Sequence, residues 1–368
     1  MNQKSKIMKQ TTFKNIAFLL ILLIAAGCNC TDKQSAAPKN IIIFIGDGMG
    51  VDQLYAGMTV YGQKFNLEQF PYSGFSKTYS ADDYITDSAA GGTAIAGGEK
   101  TNNGMIGVKP DGSPVSSITE TAHKNGLAAG VVSTSTITHA TPASFVAHNA
   151  GRGNYEDIAL DFLNGTIDVF IGGGENNFRN RRDGADLTIK LAEQGFDVVY
   201  TMDDLKKSTS DKLAGLLAKG HMPKASEGRT GMLKEMTLKA IETLSKNKNG
   251  FVLMVEGSMI DWGAHEGDFD YTVAETIDFD EAIGAALEFA KADGKTLIVV
   301  TADHETGGLT LIGGDIASKT VTPNFSTNDH SAVMVPIFSY GPGAERFSGI
   351  HENTFFYGEF VELLGLGK

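Results

Sequence analysis

A chain of 368 residues, 42% hydrophobic and 20% charged, carries enough apolar surface for one large core or two smaller ones. Its 44 glycines against 9 prolines suit an α/β protein with many tight strand-to-loop turns. A formal charge of -13 argues against nucleic acid as a structural partner, yet leaves anionic substrates open to a chain that gathers cations, bound metal among them, in one site.

The chain opens on a targeting segment. Lys4, Lys6, Lys9 and Lys14 precede an apolar run from Ile16 to Ala26, which ends in Ala25-Ala26-Gly27-Cys28. The run is short for a membrane-spanning helix and has the flanks of a signal peptide. Residues 1–27 therefore read as a signal peptide of the bacterial lipoprotein type, cleaved before Cys28, with a lipid anchor on the Cys28 sulfur. Ala25 stands where that pattern most often has leucine, so plain secretion is the alternative. Either way the chain is expected to be exported, to the periplasm or cell envelope. Removing residues 1–27 removes four lysines and no acid, which takes the charge from -13 to -17. Cys28 and Cys30 both lie at this boundary, so the folded part is predicted to hold no disulfide. Residues 28–39 read as a tether and 40–368 as the catalytic part.

Asn40-Ile41-Ile42-Ile43-Phe44-Ile45 is a continuous apolar run, the mark of a strand buried on both faces of a parallel sheet. Gly46-Asp47-Gly48 follows at its carboxyl end, where open α/β sheets bind ligands, although an acid between glycines also suits a plain turn. Residues 51–84 are mixed. Then Asp87-Ser88-Ala89-Ala90-Gly91-Gly92-Thr93 opens a run of small residues with helical length through Gly97-Gly98. Ser88 is thereby predicted at a helix N-terminus, where free N–H groups and the helix dipole favour an anion. An N-capped helix packed tightly on a sheet would explain the same residues.

Ser116–Asn125 reads as a helix, and Gly126–Thr134 as a second buried strand that leads to Thr138-His139-Ala140-Thr141 and on to Arg152. A helix over Glu156–Leu163 and a strand at Val169–Gly174 follow. The glycines there lack G-x-G-x-x-G spacing and no Walker lysine follows, so a nucleotide loop is discounted. Residues 175–230 carry little pattern. Met232–Lys246 is amphipathic, and Phe251–Val255 is the next buried strand, followed by Glu256 and Asp261-Trp262-Gly263-Ala264-His265. A long helix is predicted over Asp270–Ala292. Thr296–Val300 is a strand ending in Asp303-His304, a glycine-rich turn region runs to His330, Val333–Tyr340 is the expected last strand, and Asn353–Leu364 a closing helix. The alternation argues for one α/β domain with a largely parallel central sheet flanked by helices.

In such a sheet the residues just past each strand converge on one edge. Asp47, Glu256, Asp303 and His304 all lie there. Asp261 and His265 are four apart, one face of a helical turn, a spacing that can hold one metal. Singly, each is more often a turn former or a solvated side chain. Together they would repel unless metals or protons neutralised them. Aspartate, histidine and serine donors suit zinc, and an oxygen-rich neighbour suits magnesium. With Arg152 as a clamp on phosphate oxygens, the set describes phosphoryl transfer through a phosphoserine.

On Asp87-Ser88-Ala89 with Thr93, the chain from about residue 40 onward resembles the alkaline phosphatases, in particular their short bacterial members. The resemblance implies a phosphomonoesterase with the sandwich fold of that family. It implies Ser88 as nucleophile and Asp87 as the residue that orients Arg152. It implies two Zn²⁺, one on Asp261, His265 and His330, the other on Asp47, Asp303 and His304 with Ser88, and one Mg²⁺ on Asp47, Thr141 and Glu256. His139 and Trp262 stand where the enterobacterial pattern has aspartate and lysine, and are expected in the second layer of the site. Few residues separate His304 from His330, so no large crown insertion is expected. His123, His148, His221 and His351 match no family ligand and read as structural or solvated. The family is commonly dimeric, which makes a homodimer the assembly implied. A sulfatase would need Cys/Ser-x-Pro-x-Arg, which is absent. A phosphodiesterase would share the metals but not the serine motif. A zinc-binding surface lipoprotein without turnover would leave Ser88 and Arg152 idle.

Overall fold

The computed structural model describes residues 37–367. The predicted signal peptide, Cys28 and most of the tether lie outside the described residues. Among those described, no helix is long and apolar enough to cross a membrane.

Strand β1 (Asn40–Gly46) shows why its run of isoleucines forms a central strand. Ile41, Ile43 and Ile45 enter one core and Ile42 and Phe44 the opposite one, all with no exposed surface. Period-two side chains on a strand covered on both sides need apolar residues at every position. The remaining strands are β2 (Tyr72–Lys77), β3 (Ala128–Thr136), β4 (Val169–Gly173), β5 (Asp197–Val199), β6 (Leu213–Leu216), β7 (Phe251–Gly257), β8 (Thr296–Thr301), β9 (Glu305–Thr306), β10 (Leu309–Asp315), β11 (Thr320–Phe325), β12 (His330–Ser331), β13 (Val335–Tyr340) and β14 (Gly349–Glu352).

Ten of them form one sheet in the order β14-β2-β13-β8-β1-β7-β3-β4-β6-β5, in which β13 alone runs antiparallel to its neighbours. One core is closed by the helices Ser88–Gly97, Ile118–Lys124 and Phe355–Leu363, the other by Val51–Tyr61, Met232–Leu244 and Phe269–Asp293. The largely parallel sheet and its helical layers are thus as the sequence predicts.

The differences lie at the sheet's weaker edge and in the glycine-rich stretch. β13 is not the last strand, because β14 follows it and pairs with β2. β2 (Tyr-Ser-Gly-Phe-Ser-Lys) lacks an apolar pattern because it is half exposed near the edge. A Cβ at Gly74 would lie 2.5 Å from the Phe347 carbonyl oxygen, so close backbone approach decides that residue. The expected turn region between His304 and His330 folds as the antiparallel hairpin β10–β11, while β9 and β12 pair separately. No crown-sized insertion stands there.

Candidate active site and metal centre

Register aligns the carboxyl ends of the central strands. Ile45 of β1 lies opposite Glu256 of β7, and Ser133 of β3 lies opposite Glu256 from the other side. Asp47 follows β1 directly and Asp303 lies just beyond β8. The helix Met259–His265 begins two residues after β7 and carries Asp261 and His265 on one face. The pair β9–β12 brings His330 against His304, their rings stacked at 3.6 Å.

Three sets of donor atoms result, each set within 4.8 Å: Asp261, His265 and His330; Asp47, Asp303 and His304; and Asp47, His139 and Glu256. The protons on the imidazoles can be assigned from their partners. His265 Nδ1 lies 2.7 Å from the Asn328 carbonyl, and His330 Nδ1 lies 2.8 Å from that of Thr86. A carbonyl only accepts, so both Nδ1 atoms carry the proton. Thr306 donates its hydroxyl proton to Asp261 Oδ1 and can only accept from His304 Nδ1, at 3.2 Å. In the neutral rings all three Nε2 atoms therefore present lone pairs. Those of His265 and His330 face each other at 3.2 Å, and each also faces Asp261 Oδ1, at 3.3 and 3.7 Å. That of His304 faces Asp47 Oδ1 and Asp303 Oδ2, both at 3.4 Å, and Ser88 Oγ at 3.2 Å. Lone pairs aimed at one another and at carboxylates fit a cation held between them.

The buried atoms without hydrogen-bond partners tell the same story. Asp47 Oδ1 and Oδ2, Asp303 Oδ2, Glu256 Oε1, Thr141 Oγ1 and His139 Nδ1 have none among the described residues. Burial first, then the neighbouring Asp303, Asp261 and Glu256, push the Asp47 carboxyl well above its usual range. Burial, helped by the Asp303 charge, drives Glu256 up to about 7 against the opposing Ser133, Ser258 and Thr141 hydroxyls, and burial raises Asp303. Burial also holds His304 far below the ordinary imidazole range, and with Arg152 and His221 brings His139 to about 3. A centre that disfavours its own charges in this way is built for added positive charge.

The nucleophile candidate lies against this cluster. Ser88 is the first residue of its helix, 2% exposed, as its position after Asp87 predicts. Asp87 caps the helix through Ala90 N–H at 3.0 Å, accepts from Gly104 N–H at 2.9 Å, and accepts from Arg152 Nη1 at 2.8 Å. One carboxylate thus fixes both the helix start and the guanidinium, which is partly exposed and free to use its remaining donors. Thr93 accepts from Gly107 N–H at 2.9 Å and braces the loop beneath.

Every predicted site residue lies in this cluster or against it. Trp262 packs edge-on to His139 with ring centres 5.9 Å apart. The structure adds residues that sequence patterning passed over. Thr306 joins Asp261 to His304. Ser133 and Ser258 hold Glu256. His221 accepts from Thr136 N–H and packs against Trp262 at 4.6 Å, beside His139. The other three unassigned histidines sit away from the cluster, His148 with Glu120, His123 near Asp168 and His351 stacked on Phe355.

A serine at a helix N-terminus, an arginine fork and clustered cation sites at the edge of an α/β sheet define a metal-dependent hydrolase acting on phosphate esters. Comparison with known proteins narrows the class. The protein-family model described as Alkaline phosphatase matches residues 38–324. Alkaline phosphatase 4 of Bacillus subtilis (strain 168) is 35% identical over an alignment spanning 100% of this chain and 98% of its own length. The solved alkaline phosphatase of the Antarctic bacterium TAB5 is 42% identical, with a TM-score of 0.87 over 91% of this chain and 100% of its own. A variant of that enzyme, with aspartate for one histidine, was solved with Mg bound in its M3 site and is 41% identical, with the same TM-score of 0.87 and the same shares covered. The chain belongs to the alkaline phosphatase family, and is a metal-dependent phosphoric monoester hydrolase.

Proposed function

We propose that the chain hydrolyses phosphate monoesters at alkaline pH through a phosphoserine on Ser88. The observation that carries this reading is the set of three Nε2 lone pairs directed at carboxylates beside Ser88 Oγ. Two Zn²⁺ fit the sets Asp261–His265–His330 and Asp47–Asp303–His304 with Ser88. One Mg²⁺ fits Asp47, Thr141 and Glu256, with a ring nitrogen of His139 near enough to join. Bound there, the metals would supply charge that favours an ionised serine and stabilises the departing oxygen.

The chain's own groups do the rest. The helix N-terminus holds Ser88 Oγ where anionic oxygens are favoured. Arg152, fixed by Asp87, grips two phosphate oxygens and presents phosphorus to Ser88. Ser88 Oγ forms a bond to phosphorus as the bond to the alcohol oxygen breaks, and the proton Ser88 gives up is balanced by the one the alcohol takes up. Water then attacks phosphorus on the same terms, releasing inorganic phosphate and restoring the serine hydroxyl. Metal ligation requires deprotonated donors, which supports an alkaline optimum. The lysines ahead of an apolar run that ends at Cys28 support export to the periplasm or cell envelope with a lipid anchor, and the family's habit supports a homodimer.

Trapping with labelled phosphate at low pH tests the central step. The wild-type chain should carry label and Ser88→Ala should not. Label on the variant would show another nucleophile.

A further inference from the structure

The close hydrogen bonds to Glu256 all fall on one of its two oxygens. Ser133 Oγ lies 2.5 Å and Ser258 Oγ 2.6 Å from the same oxygen, Oε2. A carboxylate can only accept, so both hydroxyl protons point at Oε2. The two hydroxyls also lie 3.0 Å apart, and with their protons spent on Glu256 neither donates to the other. What holds them together is the Ser135 N–H, which reaches Ser133 Oγ at 3.0 Å and Ser258 Oγ at 3.1 Å. Ser133, Ser135, Ser258 and Glu256 all have no exposed surface, so water cannot replace these bonds. Oε2 is saturated by two charge-assisted hydrogen bonds, while Oε1 has no hydrogen bond of ordinary geometry, and Glu256 is grouped with Asp47 and His139 with the Thr141 hydroxyl nearby.

A carboxylate tied down in this way offers a metal one oxygen, not two. That distinction separates hard cations. Calcium takes six to eight oxygens and commonly uses both oxygens of a carboxylate, whereas magnesium demands compact octahedral geometry with single oxygens. We propose that Ser133 and Ser258 are positioning residues that hold Glu256 to a single metal-facing oxygen, so that the third site accepts magnesium and refuses calcium. The inference rests on the reading of Asp47, Thr141 and Glu256 as a cation site.

The test is calorimetric titration of the zinc-containing protein, dialysed free of magnesium and calcium, with Mg²⁺ and with Ca²⁺ separately. The quantity read is the ratio of the two dissociation constants. Ser133→Ala and Ser258→Ala should each lower the preference for Mg²⁺ about tenfold or more, the scale of lost outer-layer partners to a metal ligand. Either single change leaves the Ser135 N–H one acceptor, so each variant keeps its backbone satisfied and the second carries the test if the first does not fold. A merely structural loosening would weaken both ions together and leave the ratio fixed. A ratio equal to wild type in the variants overturns the proposal. Glu256→Gln separates the two layers of inference. If it keeps magnesium binding at full strength, the third-site reading fails. If it loses that binding while the serine variants keep the wild-type ratio, only the role of the serines fails.

Discussion

Stripped of metal, the protein should be destabilised by one of its proposed metal ligands. Glu256 has no exposed surface, and its folded-state pKa is about 7 against an ordinary value of 4.5. A raised acid binds its proton more tightly folded than unfolded. Its contribution is thus fully present below the unfolded pKa and is lost as pH rises through the folded one. Between pH 5 and pH 8 that loss amounts to about 2–3 kcal/mol. Asp47 and Asp303 shift in the same direction, and His139 and His304 work oppositely on the acid side, so wild type alone gives a mixed profile. The difference from Glu256→Gln isolates Glu256 together with the part of the Asp47 shift that its charge causes, which acts in the same direction. In chelator, with metal loss confirmed by elemental analysis, urea unfolding should show Glu256→Gln gaining about 2–3 kcal/mol on wild type from pH 5 to pH 8. With metals restored the order should reverse, because wild type alone keeps the ligand. A difference that stays flat across this range in chelator would refute the argument that Glu256 is held in a site hostile to its own charge.

Arg152→Ala should lower kcat/KM and weaken inhibition by inorganic phosphate, each by about 2 kcal/mol or roughly thirtyfold, the scale of a lost charge-assisted clamp. An unchanged phosphate inhibition constant would mean that Arg152 serves only to bind Asp87. Thr306→Val removes the hydroxyl that joins Asp261 to His304 and frees the His304 ring to turn, so zinc affinity measured against a competing chelator should fall about tenfold or more. Retention of zinc as in wild type would show that stacking on His330 orients His304 without help.

The sequence showed the fold most clearly where burial was greatest. β1, β7 and β8 are apolar at almost every position because both faces are covered, and their ends carry Asp47, Glu256 and Asp303 in plain view. β14 at the sheet's edge and β2 beside it were illegible because many of their side chains meet solvent and glycine serves close approach. The ligand-type residues of the site could be read from their positions at strand ends, and Ser88 from its small neighbours. Their supports could not. Ser133 belongs to a run of serines and threonines in a strand buried on both faces, a composition that by itself predicts neither core nor site. Its meaning depends on Glu256, 123 residues further along the chain. His221 lies in the least patterned stretch and is anchored to the Thr136 backbone 85 residues before it.

That dependence on distant partners ties the chemistry to folding. Ser88, its Asp87 cap and Arg152 come from the first half of the chain, and the three imidazoles that face the carboxylates come from the second. His304 meets Ser88 across 216 residues and Asp47 across still more, so no local segment can assemble the proposed nucleophile with the groups around it. A cation bound between Asp47 and His304, or between Asp261 and His330, would also bridge segments that the sheet alone brings together. Its binding energy would add to the stability of the folded state alone, since the unfolded chain presents no such site. In a domain with no disulfide among its described residues, ions bound there would both serve the proposed chemistry and hold the sheet edge closed around it.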